Sequence, residues 1–275
     1  MERTPLTIEP EQLVTELRAM LGEQDPAGTV MAFDGDGTLW SGDVGEDLFR
    51  AAMHESFLLE AARPALLAEA ERHGIALSAS ENDANAVARA LLASYFAGQY
   101  PERETCAMMT WCYAGRSLVE VTALAKRALQ QEGLLLRLAP ELSPIIDWGR
   151  SAGVRQVLIS ASPRAIVEPA GAHWGFAPRD IAAATPAVVD GVVQAELAEP
   201  VPYAEAKLTA GTALFGQARW LAAFGDNVFD IDMLKTAELG IAIRPKPKLQ
   251  SELAALGLRL LATGESALAA QSTRR

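Results

Sequence analysis

Asp34 and Asp36 stand one residue apart in the stretch Val30-Met31-Ala32-Phe33-Asp34-Gly35-Asp36-Gly37-Thr38-Leu39-Trp40. An apolar run that delivers two carboxylates into a Gly-rich turn supplies the residue types of a divalent-cation and phosphate site. Buried negative charge is expensive unless a cation neutralises it. Asp-x-Asp-Gly is equally a composition of surface turns. On this stretch alone the two explanations weigh about the same, since short motifs are hypotheses. Three later stretches carry related chemistry. Ser160-Ala161-Ser162-Pro163 follows the strand-like stretch Val154 to Ile159, and Lys207 lies near a helix start in Ala204-Glu205-Ala206-Lys207-Leu208. Gly225-Asp226-Asn227-Val228-Phe229-Asp230 follows the run Trp220 to Phe224 and repeats the opening design. Taken singly, the serines explain themselves as a helix N-cap and the lysine as a solvated side chain.

The elements that must position these residues are short buried strands. Val30–Phe33, Trp220–Phe224 and Leu239–Ile243 are apolar runs of strand length, and Val154–Ile159 (Val-Arg-Gln-Val-Leu-Ile) reads as a further strand. They predict an α/β fold, a Rossmann-like doubly wound parallel sheet whose ligands sit at the C-terminal ends of the strands. Residues 8–21 have near-helical apolar spacing and are ended by Asp25-Pro26-Ala27-Gly28. Pro163 fits a first helical position, after which free backbone N–H groups make an anion site. Asp190-Gly191 marks a hairpin turn within Ile181–Val193. Asp232 is expected on a helix surface, Pro245 and Pro247 close the last strand, and the tail after Gly264 reads as frayed helix or coil.

Between Ser41 and Gly153 the character changes to Ala, Leu and Glu with few β-branched runs. Ser78-Ala79-Ser80-Glu81 and Ser117-Leu118-Val119-Glu120 both have capping-box spacing. Gly133 sits where a glycine would close the helix begun at Ser117. The predicted organisation is therefore a core of residues 1–40 and 154–275, with a helical cap, residues 41–153, inserted between the first and second site stretches.

At 275 residues, half of them apolar, the chain can bury a substantial core. A net charge of −11 and a pI near 4.9 argue against nonspecific nucleic-acid or anionic-membrane binding. They leave a small anionic substrate open, because one metal ion inverts the local field. Cys106 and Cys112 match neither a zinc ligand set nor a disulfide framework and read as free thiols. The N-terminus has no uninterrupted apolar region of signal-peptide type and no run reaches membrane-spanning length, so a cytoplasmic location is expected.

Asp34-x-Asp36-x-Thr38, Ser160, Lys207 and Gly225-Asp226-x-x-x-Asp230 stand in one order, each at or soon after a strand end. This order resembles the haloacid dehalogenase superfamily of phosphohydrolases across residues 30 to 235, nearly all the chain. The placement of the insertion resembles the helical-cap branch typified by phosphoserine phosphatase. The fourth motif departs from phosphoserine phosphatase proper, with Asn227 and Phe229 at its inner positions. Together with Leu39 to Glu46, it looks closer to phosphorylcholine-phosphatase-like members.

The resemblance implies a Mg2+-dependent phosphomonoesterase. Asp34 would be the nucleophile that forms an aspartyl phosphate. Asp36 would protonate the leaving alcohol and then activate water, which requires its pKa to be raised, as a neighbouring phosphate can do. Mg2+ would be held by the Asp34 carboxylate, the Asp36 carbonyl and Asp226. Ser160 and the Ala161 N–H would hold the phosphoryl oxygens, and Lys207 would offset charge on Asp34 and the phosphate. Asp230, Thr38 and Asn227 would support the site. An acid at Asp36 disfavours carbon–halogen cleavage. A phosphotransferase or mutase with the same aspartyl phosphate is the rival reading, and a silent binding protein on the same fold a second.

The expected partner is a small phosphomonoester, with neither nucleic acid nor membrane. Asp43 lies where phosphoserine phosphatases carry a glutamate that meets the substrate ammonium, which implies an amine-bearing substrate such as phosphoserine, phosphocholine or phosphoethanolamine. Trp40, Tyr95, Phe96, Trp111 and Tyr113 offer cation–π faces, although cap core is the favoured explanation for them. Arg116 is one of several arginines able to clamp a carboxylate.

Overall fold

The computed structural model describes residues 5–78 and 82–264. In chain order the elements are β1 (Leu6–Ile8), α1 (Pro10–Leu21), β2 (Thr29–Phe33), α2 (Val44–His54), α3 (Arg63–Arg72), α4 (Ala84–Phe96), α5 (Glu102–Trp111), α6 (Leu118–Gln131) and α7 (Ser143–Ser151). Then come β3 (Arg155–Pro163), α8 (Arg164–Ala172), β4 (Ile181–Ala184), β5 (Pro186–Val189), β6 (Val192–Leu197), α9 (Ala206–Phe215), β7 (Arg219–Gly225), α10 (Ile231–Thr236), β8 (Leu239–Ala242), α11 (Pro247–Leu256) and β9 (Arg259–Leu261).

Seven of the strands form one sheet in the order β1-β9-β8-β7-β2-β3-β4. Every pairing in it is parallel. β2 is the pivot: the chain builds outward through β3 and β4 on one side and through β7, β8 and β9 on the other. That reversal opens a crevice at the C-terminal ends of β2, β3 and β7. β2 is buried along its whole length. Met31 and Phe33 join the apolar cluster on one face, Val30 and Ala32 the cluster on the other. A strand covered on both faces has to be apolar throughout, which is why Thr29–Phe33 shows no polar alternation. Phe33 stacks on Phe224 of β7 with centroids 4.5 Å apart, locking the two strands whose ends carry the acids.

Helical character dominates from α2 to α6, as the composition predicts. The chain leaves the sheet at Leu39–Ser41 and returns beside itself at Arg137–Ala139. Ser41 N–H donates to the Arg137 carbonyl (2.9 Å) and Ala139 N–H to the Leu39 carbonyl (3.0 Å). The buried Asp47 carboxylate pairs with Arg137 at 2.5 Å and ties α2 to the returning segment. α7 then packs against α1 and β3. The capping box of α6 is complete: the Glu120 N–H donates to Ser117 Oγ (3.2 Å) and the Ser117 N–H to Glu120 (2.9 Å). Gly133 follows in the left-handed conformation at φ 64°. The other predicted box, Ser78 to Glu81, includes residues 79–81, which lie outside the described residues. The helix after it is capped by Asp83, whose carboxylate accepts the Ala86 N–H at 2.9 Å.

Four local expectations are corrected. Ile8 closes a strand, because Pro10 opens the helix two residues later. Pro163 is still extended and α8 begins at Arg164, the sheet register shifting between Ser160 and Pro163. The segment Ile181–Val193 divides: β4 joins the main sheet, and the hairpin is β5–β6, turning at Asp190 (φ 50°) and Gly191 (φ 79°). That hairpin docks on the helical segment, with Val193 N–H donating to the Arg116 carbonyl at 2.9 Å. β8 is followed by α11, opened by Pro247, and by a further strand, β9. The predicted tail beyond Gly264 lies outside the described residues. No helix among the described residues is long and apolar enough to cross a membrane.

Candidate active site

The ends of β2, β3 and β7 bring together all four stretches that carry chemistry, and Lys207 stands at their centre. It projects from the first turn of α9, is only 4% exposed, and donates to Asp34 Oδ1 and Asp230 Oδ1, each at 2.5 Å. Burial alone would lower its pKa, but Asp230 and Asp34 outweigh that and hold it well above the ordinary lysine value. Asp34 Oδ2 accepts the Thr38 hydroxyl at 3.1 Å, so both carboxylate oxygens are fixed. Asp230 Oδ2 accepts the backbone N–H groups of Asp226 (3.1 Å) and Asn227 (2.9 Å), and Asn227 Oδ1 accepts the Val228 N–H at 2.7 Å. Asp230 thus shapes the loop that presents Asp226.

Oxygens of Asp34, Asp226 and Asp230 all lie within 4.8 Å of one another, and all three residues are buried. Burial pushes the Asp34 carboxyl up to about 7 against the opposing pull of Lys207, with Asp230 adding to the rise. The Asp226 carboxyl is pushed up to about 8 by burial and by repulsion from Asp34 and Asp230. Lys246 Nζ lies 3.5 Å from Asp226 but is more than half exposed. Three buried carboxylates facing one buried ammonium leave uncompensated negative charge, and hard oxygen donors at this spacing fit a divalent cation.

Asp36 has a different environment. Its Oδ1 accepts the Trp40 indole N–H (2.8 Å) and the Val44 backbone N–H (2.7 Å), while Oδ2 accepts the Ser162 hydroxyl (2.7 Å). Those bonds favour the charged form, yet burial first and Asp43 second push the carboxyl up to about 7. The sequence reading assigned this rise to a bound phosphate; burial and Asp43 already supply it. Asp43 caps α2 by accepting the Glu46 N–H (2.8 Å), and burial raises its own carboxyl to about 6.

The five aspartates, Asn227, Ser162, Lys207 and Lys246 line one cavity of about 70 Å³, together with Ser160, Ala161, Glu102, Cys106, Tyr203 and Phe229. Ser160 Oγ accepts the Ser162 N–H at 3.1 Å, so the two serines brace each other. The structure adds Ser162, Lys246, Glu102, Tyr203 and Phe229 to the residues singled out from sequence. Ser162 was findable, since two residues on along a strand returns to the same face. Lys246 between two prolines and Glu102 after Pro101 carry no local signal. Of the aromatic residues named from sequence, Trp40, Trp111 and Tyr113 are core, Phe96 is exposed and Tyr95 is half-buried against the core, while Trp40 also meets the site through its indole N–H. Arg116 instead donates to the Phe57 carbonyl at 3.0 Å and covers the Phe57 ring. Both cysteines are free.

No curated protein sequence gives a significant match. Among solved structures, the chain is similar to a functionally unknown protein from Anaerococcus prevotii, with TM-score 0.65, 16% identity, and coverage of 94% of this chain and 93% of that one. A protein of unknown function from Bordetella pertussis matches at TM-score 0.63 and 21% identity, covering 85% and 98%. A probable phosphoserine phosphatase from Vibrio cholerae matches at TM-score 0.54 and 15% identity, covering 96% and 74%. At these identities the likeness is one of fold. The family model for haloacid dehalogenase-like hydrolases matches residues 31–235, from the strand that delivers Asp34 to the helix beyond Asp230, and the chain belongs to that family.

Proposed function

We propose that this protein is a Mg2+-dependent phosphomonoesterase that works through an aspartyl phosphate on Asp34. The observation that carries the reading is the buried cluster of Asp34, Asp226 and Asp230 around Lys207, beside a carboxyl group on Asp36 poised near neutrality. Asp34 and Asp226, with the Asp36 carbonyl, would hold the cation. Bound there, Mg2+ neutralises the phosphoryl oxygens and steadies the charge that spreads over them during transfer.

Asp34 attacks phosphorus, its carboxylate held in place by Thr38 and Lys207. Asp36 donates a proton to the departing oxygen, and the Ser162, Trp40 and Val44 donors then stabilise the carboxylate that remains. The same carboxylate takes a proton from the water that releases phosphate. A pKa near the working pH serves both steps. Ser160 and the Ala161 N–H receive the phosphoryl oxygens, with Lys207 offsetting their charge. The helical segment between Ser41 and Arg137 acts as a cap, narrower than the expected 41–153 because α7 packs on α1 and β3, and α5 brings Glu102 and Cys106 to the cavity wall. The small cavity favours small phosphomonoesters. Asp43, half-buried at its rim, favours an amine on the leaving group.

The test is a phosphate-release screen over small phosphomonoesters with and without Mg2+. Asp34→Asn is expected to abolish release, and activity in that variant would refute the assignment. Release into water without an acceptor alcohol separates hydrolysis from phosphotransfer. Asp43→Ala is expected to lower the preference for amine-bearing over amine-free esters; an unchanged preference removes the amine proposal alone.

A further inference from the structure

The cavity that holds the reacting groups is small, and a larger space adjoins it. The cavity's volume of about 70 Å³ suits a phosphoryl group with a short leaving group. Next to it runs a groove of about 460 Å³ lined by Arg103, Ala107, Leu197, Pro200, Val201 and Ala204 among others. Tyr203 is the single residue that lines both spaces.

The walls confirm that the two are neighbours across one side chain. α5 turns Glu102 and Cys106, one helical turn apart, into the cavity and Arg103 and Ala107 into the groove. The first turn of α9 likewise gives Lys207 to the cavity and Ala206 to the groove. The Tyr203 ring packs on Phe229, centroids 4.4 Å apart, and Phe229 itself lines the cavity. Tyr203 is carried on a segment stiffened by Pro200 and Pro202. The ring therefore stands as a partition between a small polar chamber and a larger, mainly apolar groove.

We propose that Tyr203 is the size-selecting gate of the active site: with the ring in place the leaving group is held short, and without it the groove receives longer ones. This inference rests on the phosphomonoesterase reading above.

The test measures kcat/KM across straight-chain alkyl phosphates, from methyl to octyl, for the wild type, Tyr203→Ala, Tyr203→Phe and Tyr203→Ala with Ala107→Phe. The wild type is expected to decline with chain length. Tyr203→Ala should reverse the trend, each methylene that enters the groove gaining about threefold to fourfold. Tyr203→Phe keeps the ring and should follow the wild type, and Ala107→Phe should refill the groove and restore the decline. Tyr203→Leu carries the same expectation as Tyr203→Ala if the alanine variant does not fold.

An unchanged chain-length trend in a folded Tyr203→Ala or Tyr203→Leu overturns the gate. Calorimetric binding of methylphosphonate and octylphosphonate, in the presence of Mg2+, separates this result from failure of the parent reading. A gain in octylphosphonate binding confined to the variants lacking the ring supports the gate even if no ester is hydrolysed. The same preference in all variants, or binding of neither phosphonate, overturns it.

Discussion

Lys207 is the side chain on which the rest of the site depends. Its ammonium is the one charge that offsets both Asp34 and Asp230, and all three groups are buried. Removing one partner of a buried ion pair leaves the others uncompensated, which typically costs about 3–5 kcal/mol. Lys207→Met is therefore expected to lower stability by an amount of that order, read as a reduced urea midpoint with an unchanged slope. Phosphate release should fall by at least about a thousandfold, as expected when a preorganised charge is lost from a transition state. A variant as stable as the wild type would show that the lysine is not the keystone of the cluster.

Asp36 makes a contrasting case. Among the described residues no cation pairs with it, yet three donors converge on it, one of them the indole of fully buried Trp40. A large aromatic at this position therefore serves packing and orientation together.

At the scale of elements, the turn after β2 is the tightest constraint. Gly37 has φ +83°, and a Cβ there would come within 2.1 Å of Asp226 Oδ2. The loops after β2 and β7 can approach closely enough to share a cation only because this residue has no side chain. Gly37→Ala is expected to cost about 1–2 kcal/mol from the backbone conformation alone. It should also weaken Mg2+ binding at least tenfold by displacing Asp226, measured by calorimetry on the folded variant. Wild-type affinity would show that the two loops are not held by this contact. Further support comes from the segment after β8. Arg244 donates to the Thr38 carbonyl at 3.2 Å and pairs with Glu141 at 3.2 Å, while the Lys246 N–H donates to the Asp226 carbonyl at 2.8 Å.

The molecule as a whole concentrates negative charge in one buried place. Six carboxylates line the cavity, Asp34, Asp36, Asp43, Glu102, Asp226 and Asp230, against Lys207 and Lys246. Burial raises Asp34 and Asp36 to about 7 and Asp226 to about 8, from an ordinary value of 3.8. Between roughly pH 4 and pH 8 the folded protein therefore binds protons that the unfolded chain has released. Stability of the cation-free protein must fall as pH rises through that window. Lys207, whose pKa is raised, contributes stability that is lost only at strongly alkaline pH. Mg2+ binds the ionised carboxylates, so its stabilising effect should be larger at pH 8 than at pH 6. Melting temperatures with EDTA and with saturating Mg2+ across this range check both expectations. A cation-free protein whose melting temperature rises from pH 6 to pH 8 would contradict the assigned burial of these groups.

The sequence by itself determined the parallel α/β core and the position of its reacting groups along the chain. Val30–Phe33, Val157–Ile159 and Leu221–Phe224 are uniformly apolar because strands covered on both faces have no choice. The acids and the serine at the ends of those strands stand where such sheets bind ligands, and the lysine reaches them from the start of α9. The same periodicity exposed the α6 capping box, since caps are local chemistry. Only the tertiary structure decided how those groups are partnered. Ser162 and Trp40 meet Asp36, Lys246 approaches Asp226, and Glu102, Tyr203 and Phe229 close the cavity. It also decided that β9 and β1 extend the sheet and that the β5–β6 hairpin leaves it for the helical segment. The reason is the range of the forces: strand and cap preferences act over a few residues, whereas pKa values, cavity walls and edge pairings are set by neighbours far away along the chain.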